Sequence, residues 1–466
     1  MNEVRTENKM GVMSEGKLLF TMSLPMIISM LFQAMYNIVD SVFVSHYSLD
    51  GLTAVSTAFP IQNLMIGIFS GLGVGINAFI SKALGEKQFD KANETARQGI
   101  FLEAIGYAIF LVIGLFFAES FMRSQTDNAD IIKYGRQYLE ICCCGAFGIA
   151  AQMTFERLLQ STGRTMYSMI TQITGAVINI ILDPILIFGY FGMPEMGIAG
   201  AAVATVIGQC IAGIMAVIFN IRFNTDLKIS YKGFKPRMTE ITSILSVGIP
   251  SVIMVSIGSV MTYLLNKLLF TFSAMAVAIF GVYFKIQSMA FMPVFGLNNG
   301  LIPIISYNYG ARKPERMIKT FKYGVIVACS IMIFCLIIMQ LIPGTILEIF
   351  DAKDDMLGMG IPALRIMSIA FVFAGFSVVC SGAFQAMGKG VYSMIVSFAR
   401  QLVVLLPAAY ILSKVFNSVN GVWAAFPVAE IASVTVSALL LVRLYKKIVA
   451  PLRKEYSGEN SGINEC

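Results

Sequence analysis

Twelve apolar stretches alternate with polar connections along the chain, near 18–45, 54–84, 97–118, 134–156, 165–190, 197–221, 240–270, 277–309, 320–343, 361–384, 390–412 and 421–445. A helix rising 1.5 Å per residue needs about 20 apolar residues to cross the hydrocarbon of a bilayer. The pattern therefore predicts twelve transmembrane helices. It does not alternate with period two over about ten residues, as barrel strands do, so the class is an all-α membrane protein. Several runs exceed the bilayer thickness, which predicts tilted or kinked helices that project beyond it.

Lysine and arginine fall on one side of this pattern. They crowd the connections after spans two (Lys82, Lys87, Lys91, Arg97), six (Arg222, Lys228, Lys232, Lys235, Arg237) and eight (Arg312, Lys313, Arg316, Lys319, Lys322) and the C-terminal tail. The connections 46–53, 191–196 and 271–276 contain neither residue. The positive-inside rule then predicts a multi-pass membrane protein with both termini cytoplasmic. The basic balance is topological and predicts no nucleic-acid partner. Nothing in the arrangement asks for more than a monomer in the lipid bilayer.

Composition agrees: 57% of the 466 residues are hydrophobic and only 13% charged. A soluble domain of this size keeps charge over most of its exterior. The first apolar run is too long for a cleavable signal. The eight cysteines fit no metal or disulfide spacing. With His46 the only histidine, no metal centre or nucleophile–base constellation is predicted, so the chain reads as no enzyme and as needing no cofactor.

An internal repeat organises the spans. Gly71-Leu72-Gly73-Val74-Gly75 with Ile80, Ser81 and Gly85 recurs as Gly296-Leu297-Asn298-Asn299-Gly300 with Ile305, Ser306 and Gly310, at an offset of 225 (296 − 71). The same offset relates Pro25 to Pro250 and Tyr167-Ser168-Met169-Ile170 to Tyr392-Ser393-Met394-Ile395. The chain thus divides into a tail (1–17), a first lobe of six spans (18–222), a basic linker (223–239), a second lobe of six spans (240–445) and a tail (446–466). Six is even, so the two six-helix bundles share an orientation and are related by a pseudo-two-fold axis along the membrane normal. Parallel repeats of this kind build transporters with a substrate site between the halves. The glycine cluster lies inside a span and predicts close helix packing, not a nucleotide loop.

Several carboxylates sit within the apolar runs, Asp40 and Asp183 among them. Each costs about 2.5–3.5 kcal/mol on insertion scales and so faces a cavity, a partner or an ion path. In Asn179-Ile180-Ile181-Leu182-Asp183-Pro184 the amide and carboxylate are four apart, on one helical face. Pro184 deprives the Ile180 carbonyl of its helical partner and predicts a kink. Counting inward from the polar ends puts Asp40, Asn179, Asp183 and Thr205 at a similar depth, with Tyr36 and Asn37 on the Asp40 face. Two neighbouring carboxyls share a proton or hold a cation between them, so this is the expected coupling site. The repeat mates of Asp40 and Asp183 are Leu265 and Ala408, which places coupling in the first lobe alone. Lys285 and Glu430 are expected at the substrate cavity or in structural pairs, Lys267 at a span end, and Glu156 and Arg157 as inter-helix pairs.

Tyr36-Asn37-Ile38-Val39-Asp40, the Asn179–Pro184 segment and Gly197-Ile198-Ala199-Gly200-Ala201-Ala202-Val203-Ala204-Thr205, on six-plus-six spans, resemble the multidrug and toxic compound extrusion family, in its bacterial multidrug-exporter branch. The resemblance covers essentially the whole chain. It implies a V-shaped pair of lobes exporting cationic lipophilic drugs against Na⁺ or H⁺ by alternating access, with Asp40, Asn179, Asp183 and Thr205 as the cation site. Spans seven and eight supply no carboxylate for the second-lobe cluster of some branches. The alternative is a flippase for a lipid-linked precursor, whose phosphate cargo would want a basic cavity.

Overall fold

The computed structural model describes residues 7–350 and 354–463, with side chains at 7–350 and 356–456; parts of both tails lie outside these residues. Ten helices are long and apolar enough to cross a membrane, and two bent pairs bring the spans to twelve. In order they are Glu15–Tyr47, Leu49–Gly85, Phe89–Phe116, Ala129–Cys144 with Ala146–Ser161, Thr165–Phe188, Ile198–Phe223, Met238–Phe270, Ala274–Gly310, Pro314–Leu341, Asp354–Ser368 with Phe371–Ala386, Gly390–Val415 and Asn420–Leu444. The fourth and tenth spans bend by 44° and 46°. Gly145, at the first bend, is the repeat mate of Ala370 at the second (370 − 145 = 225). Two short connecting helices, Ala118–Gln125 and Pro343–Ile349, also begin 225 residues apart (343 − 118). The repeat thus extends to details that apolar runs do not encode.

The expected kink at Pro184 is not a break. The helix runs through it to Phe188 and ends where Gly189 turns left-handed at φ +73°. The Met196 and Gly197 N–H groups donate to the Leu186 and Ile187 carbonyls at 3.0 and 3.2 Å, which the helix end leaves without helical partners.

The repeated glycines pack the two lobes together. Span two lies against span seven and span eight against span one. A methyl group on Gly71 would meet the Val252 nitrogen at 2.9 Å, and one on Gly296 the Ile27 nitrogen at 2.7 Å; Val252 and Ile27 are themselves repeat mates (252 − 27 = 225). Gly85 and Gly310 close the seam at the basic end, facing the carbonyl oxygens of Tyr307 and Lys82. Small residues permit this approach of backbones where no hydrophobic drive exists between helices. Two matched bonds hold each lobe beneath the seam: Ser81 Oγ donates to the Ser161 carbonyl at 2.9 Å, and Ser306 Oγ to the Ala386 carbonyl at 2.8 Å.

Residues 7–13 of the N-terminal tail are docked against the lobes. Asn8 Nδ2 donates to the Thr162 carbonyl of the first lobe (3.1 Å) and to Asp226 Oδ2 of the linker that follows it (3.4 Å). From the second lobe, Asn308 Nδ2 donates to the Met10 carbonyl at 3.1 Å and Lys313 Nζ to the Gly11 carbonyl and Glu7 Oε1, each at 3.0 Å. Arg316 donates to the Met10 and Met13 carbonyls, and the Met10 side chain is wholly buried. The hydrogen bond and charge of Lys313 hold the Glu7 carboxyl below its usual range. Residues 7–13 therefore strap both lobes at the basic face. A hydrogen bond to a charged group contributes about 1.5–3 kcal/mol. Replacing Asn308 and Arg316 with alanine should lengthen the distance between spin labels at the exposed Lys91 and Lys319 positions in pulsed electron resonance. An unchanged distance distribution would mean that the glycine seam alone keeps this face shut.

Candidate functional site

The first lobe brings its acidic residues together. Asp183 is wholly buried, and its carboxyl lies within hydrogen-bonding reach of that of Asp40. Asn179 joins them to span six. Its amide nitrogen donates to Asp183 Oδ2 at 3.2 Å, while its oxygen accepts from the Thr205 N–H (3.2 Å) and Oγ1 (3.1 Å). The reverse orientation would set the amide oxygen toward acceptors. Spans one, five and six thus meet at four named side chains.

One oxygen of Asp40, Oδ1, is buried with no partner. Burying such an atom unmatched costs about 1–3 kcal/mol, and more for a charged group. A shared proton or a cation relieves both this cost and the repulsion between carboxyls. The groups converging here are oxygens, the donors that hard cations prefer. The arrangement suits a proton or a hard cation such as Na⁺.

Tyr36 stands beside this site as its i−4 spacing from Asp40 predicts, with Asp40, Asp183 and Cys142 as charged or ionisable neighbours. Asn37 does not. It is exposed, and its carbonyl accepts from Ser41 Oγ at 2.9 Å. The i−3 position turns far enough round the helix to leave the site. The wall on the Asp40 side comes from span four and span two: Tyr138 and Cys142 are buried, and Gln62 Nε2 donates to the Tyr138 hydroxyl at 2.9 Å. Sequence reasoning missed these three. The only signal was a tyrosine and cysteine four apart in an apolar run, which also describes ordinary packing.

The site opens onto a cavity of about 540 Å³ between the lobes. Tyr36, Asn179 and Thr205 wall this cavity while belonging to the carboxylate cluster. Glutamines and asparagines alternate with methionines and Phe291 and Phe295 around it. Glu156 makes the expected inter-helix contacts: it accepts from Gln152 (3.1 Å) on its own span and from Thr171 (2.9 Å) and Gln172 (2.7 Å) of span five, at the cavity wall. Arg157 reaches across the seam, where its Nη1 donates to Asn299 Oδ1 of the second lobe at 3.0 Å and to Gln160 Oε1 at 2.9 Å. Adjacent helical residues point about 100° apart, so two neighbours serve different partners.

Among the described residues, the second lobe has no counterpart to the acidic site. Leu265, the mate of Asp40, is wholly buried, and the region is filled by Phe280, Tyr283, Trp423 and Phe426 where the first lobe has Val55, Ala58, Ile198 and Ala201. Tyr283 and Phe426 pack edge to face with centroids 5.5 Å apart. Lys285 is exposed and is not among the residues walling the cavity, and Glu430 lies buried behind the wall, paired with Arg400. Neither Lys285 nor Glu430 reaches the cavity, whereas Arg400 does.

Comparisons with known proteins agree with this architecture. The MatE family model matches residues 25–185 and again 250–411, two segments whose starts lie 225 apart (250 − 25). The chain is 27% identical over 410 residues to the multidrug export protein MepA of Staphylococcus haemolyticus, covering 87% of this chain and 89% of that protein. It is 24% identical to MepA of Staphylococcus aureus over 92% of this chain and 94% of that protein. Among solved structures, it shares the fold of a multidrug-resistance MATE transporter in an outward-facing conformation and of a Pyrococcus furiosus transporter described by a binding pocket of reversed polarity. Both give a TM-score of 0.89 at 24% identity, covering 97% of this chain and all of the other. Two matched halves, twelve spans in two lobes and near-complete overlap with transporters of one fold lead to one conclusion: the chain belongs to the MatE family, the multidrug and toxic compound extrusion transporters.

Proposed function

We propose that the protein is an antiporter of the cytoplasmic membrane, monomeric and with both termini cytoplasmic, that exports cationic lipophilic small molecules in exchange for Na⁺ or H⁺. One observation carries this reading: Tyr36, Asn179 and Thr205 belong both to the carboxylate cluster and to the wall of the central cavity. An ion entering between Asp40 and Asp183 therefore acts on the surface that a substrate touches. The seam at Gly85 and Gly310 and the strap at residues 7–13 close the basic, cytoplasmic face, so this is the state in which the cavity exchanges with the outside. Each ligand needs only to favour one access state for the two fluxes to be linked. The export activity named for the MepA relatives supports the substrate class.

Glu156 supplies the charge that draws a cation into the cavity. Its three hydrogen bonds fix the carboxylate at the wall, where low dielectric strengthens attraction. Glu156→Gln should raise KM for a monocationic dye about tenfold while leaving ion-driven exchange of a neutral amphiphile intact. Equal loss for both substrates in vesicle efflux would move Glu156 from recognition to structure.

The flippase reading draws support from two guanidinium groups, Arg157 and Arg400, at the same cavity. Accumulation of a lipid-linked precursor in cells lacking the protein, with unchanged drug sensitivity, would favour it over export.

A further inference from the structure

The antiport reading leaves one buried acid without a task. Glu103, near the middle of span three, is 2% exposed, and among the described residues neither of its carboxyl oxygens has a hydrogen-bond partner. Gly99 and Gly106, on the same helical face, press on Ile76 and Phe69 of span two. Glu103 therefore meets span two at the level of Leu72 and Gly73. Arg157 reaches the same glycine, where an added methyl group would lie 2.8 Å from its Cγ. Glu103 thus stands within the field of the Arg157 charge but makes no hydrogen bond with it.

Spans two, four and seven pack against span three. Among the described residues, the charged group that faces Glu103 from them is Arg157, with Glu156 acting on the same guanidinium. Tyr107, one turn along span three, gives its hydroxyl to the Cys144 carbonyl. The repeat mate of Glu103 is Ala328 (328 − 103 = 225) and that of Arg157 is Gly382, so both charges belong to the first lobe alone. In this structure Arg157 is held elsewhere, by Gln160 and, across the seam, by Asn299 of the second lobe. The bond to Asn299 joins the two lobes, so it must break when they part at the basic face. The unpartnered acceptor then beside the guanidinium is Glu103.

We propose that Glu103 is a separate proton-binding site of the first lobe, protonated while Arg157 is held across the seam and deprotonated when the lobes part and Arg157 turns onto it. A buried carboxylate without a partner is costly in a low-dielectric interior, whereas a neutral carboxyl or an arginine-paired carboxylate is tolerated. On opening, the neutral carboxyl and the guanidinium become an ion pair and one free proton, which leaves with the water that enters at the basic face. Closure reverses the step, with the proton taken from the cavity that Arg157 walls. Each cycle then carries one proton besides whatever binds at Asp40 and Asp183. By linkage, acid favours the closed basic face and alkali the open one. The inference rests on the antiport reading for its two access states, but not for its cargo or its ion cluster.

The test uses the full-length protein carrying Asp40→Asn and Asp183→Asn, so that the ion cluster does not titrate. Pulsed electron resonance between spin labels at positions 91 and 319 reads the ratio of open to closed basic face from acid to alkaline pH. With Glu103 in place, the ratio should rise by up to about tenfold per pH unit across its titration. Glu103→Gln, which fixes the neutral form, should keep the face closed at every pH, and Glu103→Asp should restore part of the slope. In infrared spectra of the closed protein, Glu103→Gln should delete one protonated-carboxyl band. A slope that survives Glu103→Gln would belong to Glu156 or another group and overturns the assignment. So does a face that ignores pH with Glu103 present, or a spectrum that keeps every carboxyl band. Absent gradient-driven efflux in the wild type would sink the antiport reading while leaving this pH response to stand or fall by itself.

Discussion

Asp183→Asn is expected to abolish gradient-driven efflux while the protein still inserts and folds. The substitution keeps the size of the side chain and its bond with the Asn179 amide but removes the charge. A neutral amide leaves Asp40 as the sole carboxylate, and neither a cation nor a shared proton then has two anionic oxygens to bridge. Losing one charge-assisted contact of about 1.5–3 kcal/mol lowers ion binding about 10- to 100-fold, and coupling falls with it. Drug binding should survive, because the cavity wall around Glu156 is untouched. Asp40→Asn should behave alike. The second lobe supplies the control: Ala408, at the mate of Asp183, should accept small neutral substitutions with no effect on coupling.

A comparably large effect is expected from valine at Gly85 or Gly310. A Cβ at either position would lie inside the van der Waals distance of a backbone carbonyl oxygen, Tyr307 for Gly85 and Lys82 for Gly310. Backbone in a packed helix has no rotamer with which to yield, so the helices must part. Overpacking of this kind costs about 1–3 kcal/mol, applied here only to the state in which the basic face is closed. The equilibrium between access states then shifts toward opening at that face by about 10- to 100-fold. Transport, which must visit both states, should fall at least tenfold, while the amount of protein in the membrane stays near normal. Cysteine accessibility at the inner end of the cavity would rise in parallel. Normal efflux by Gly310→Val would show that the seam does not close during the cycle.

How much of this was legible in the sequence depends on what kind of contact carries it. Twelve spans and the repeat were readable because apolar length and a constant offset are local properties. The acidic cluster was readable because carboxylates in an apolar run need partners, and the depths of Asp40, Asn179, Asp183 and Thr205 coincide. Contacts across the lobes were not readable. The two glycine clusters predict close packing, yet nothing in a repeated pattern says that each copy packs against the other lobe. The same holds for the strap, since Asn8, Asn308 and Arg316 are distant in sequence and unremarkable in composition. Glu156 and Arg157 were readable as inter-helix contacts, but not which partners each would take, because helical geometry sends the two side chains in different directions. Asn37 and Lys285 show the converse: polar residues placed near a site by spacing alone can still turn away from it. Glu430 was expected at the cavity or in a structural pair, and only the structure shows that it stands behind Arg400, which faces the cavity.

The central claim is that an ion held by the first-lobe carboxylates drives export through the shared cavity. The most direct measurement is dye efflux in proteoliposomes of defined orientation, with Na⁺ and pH gradients imposed one at a time, for wild type, Asp40→Asn and Asp183→Asn. The account predicts efflux driven by at least one gradient in wild type and by neither in the two variants, with dye binding retained. Full gradient-driven efflux by Asp183→Asn would contradict it.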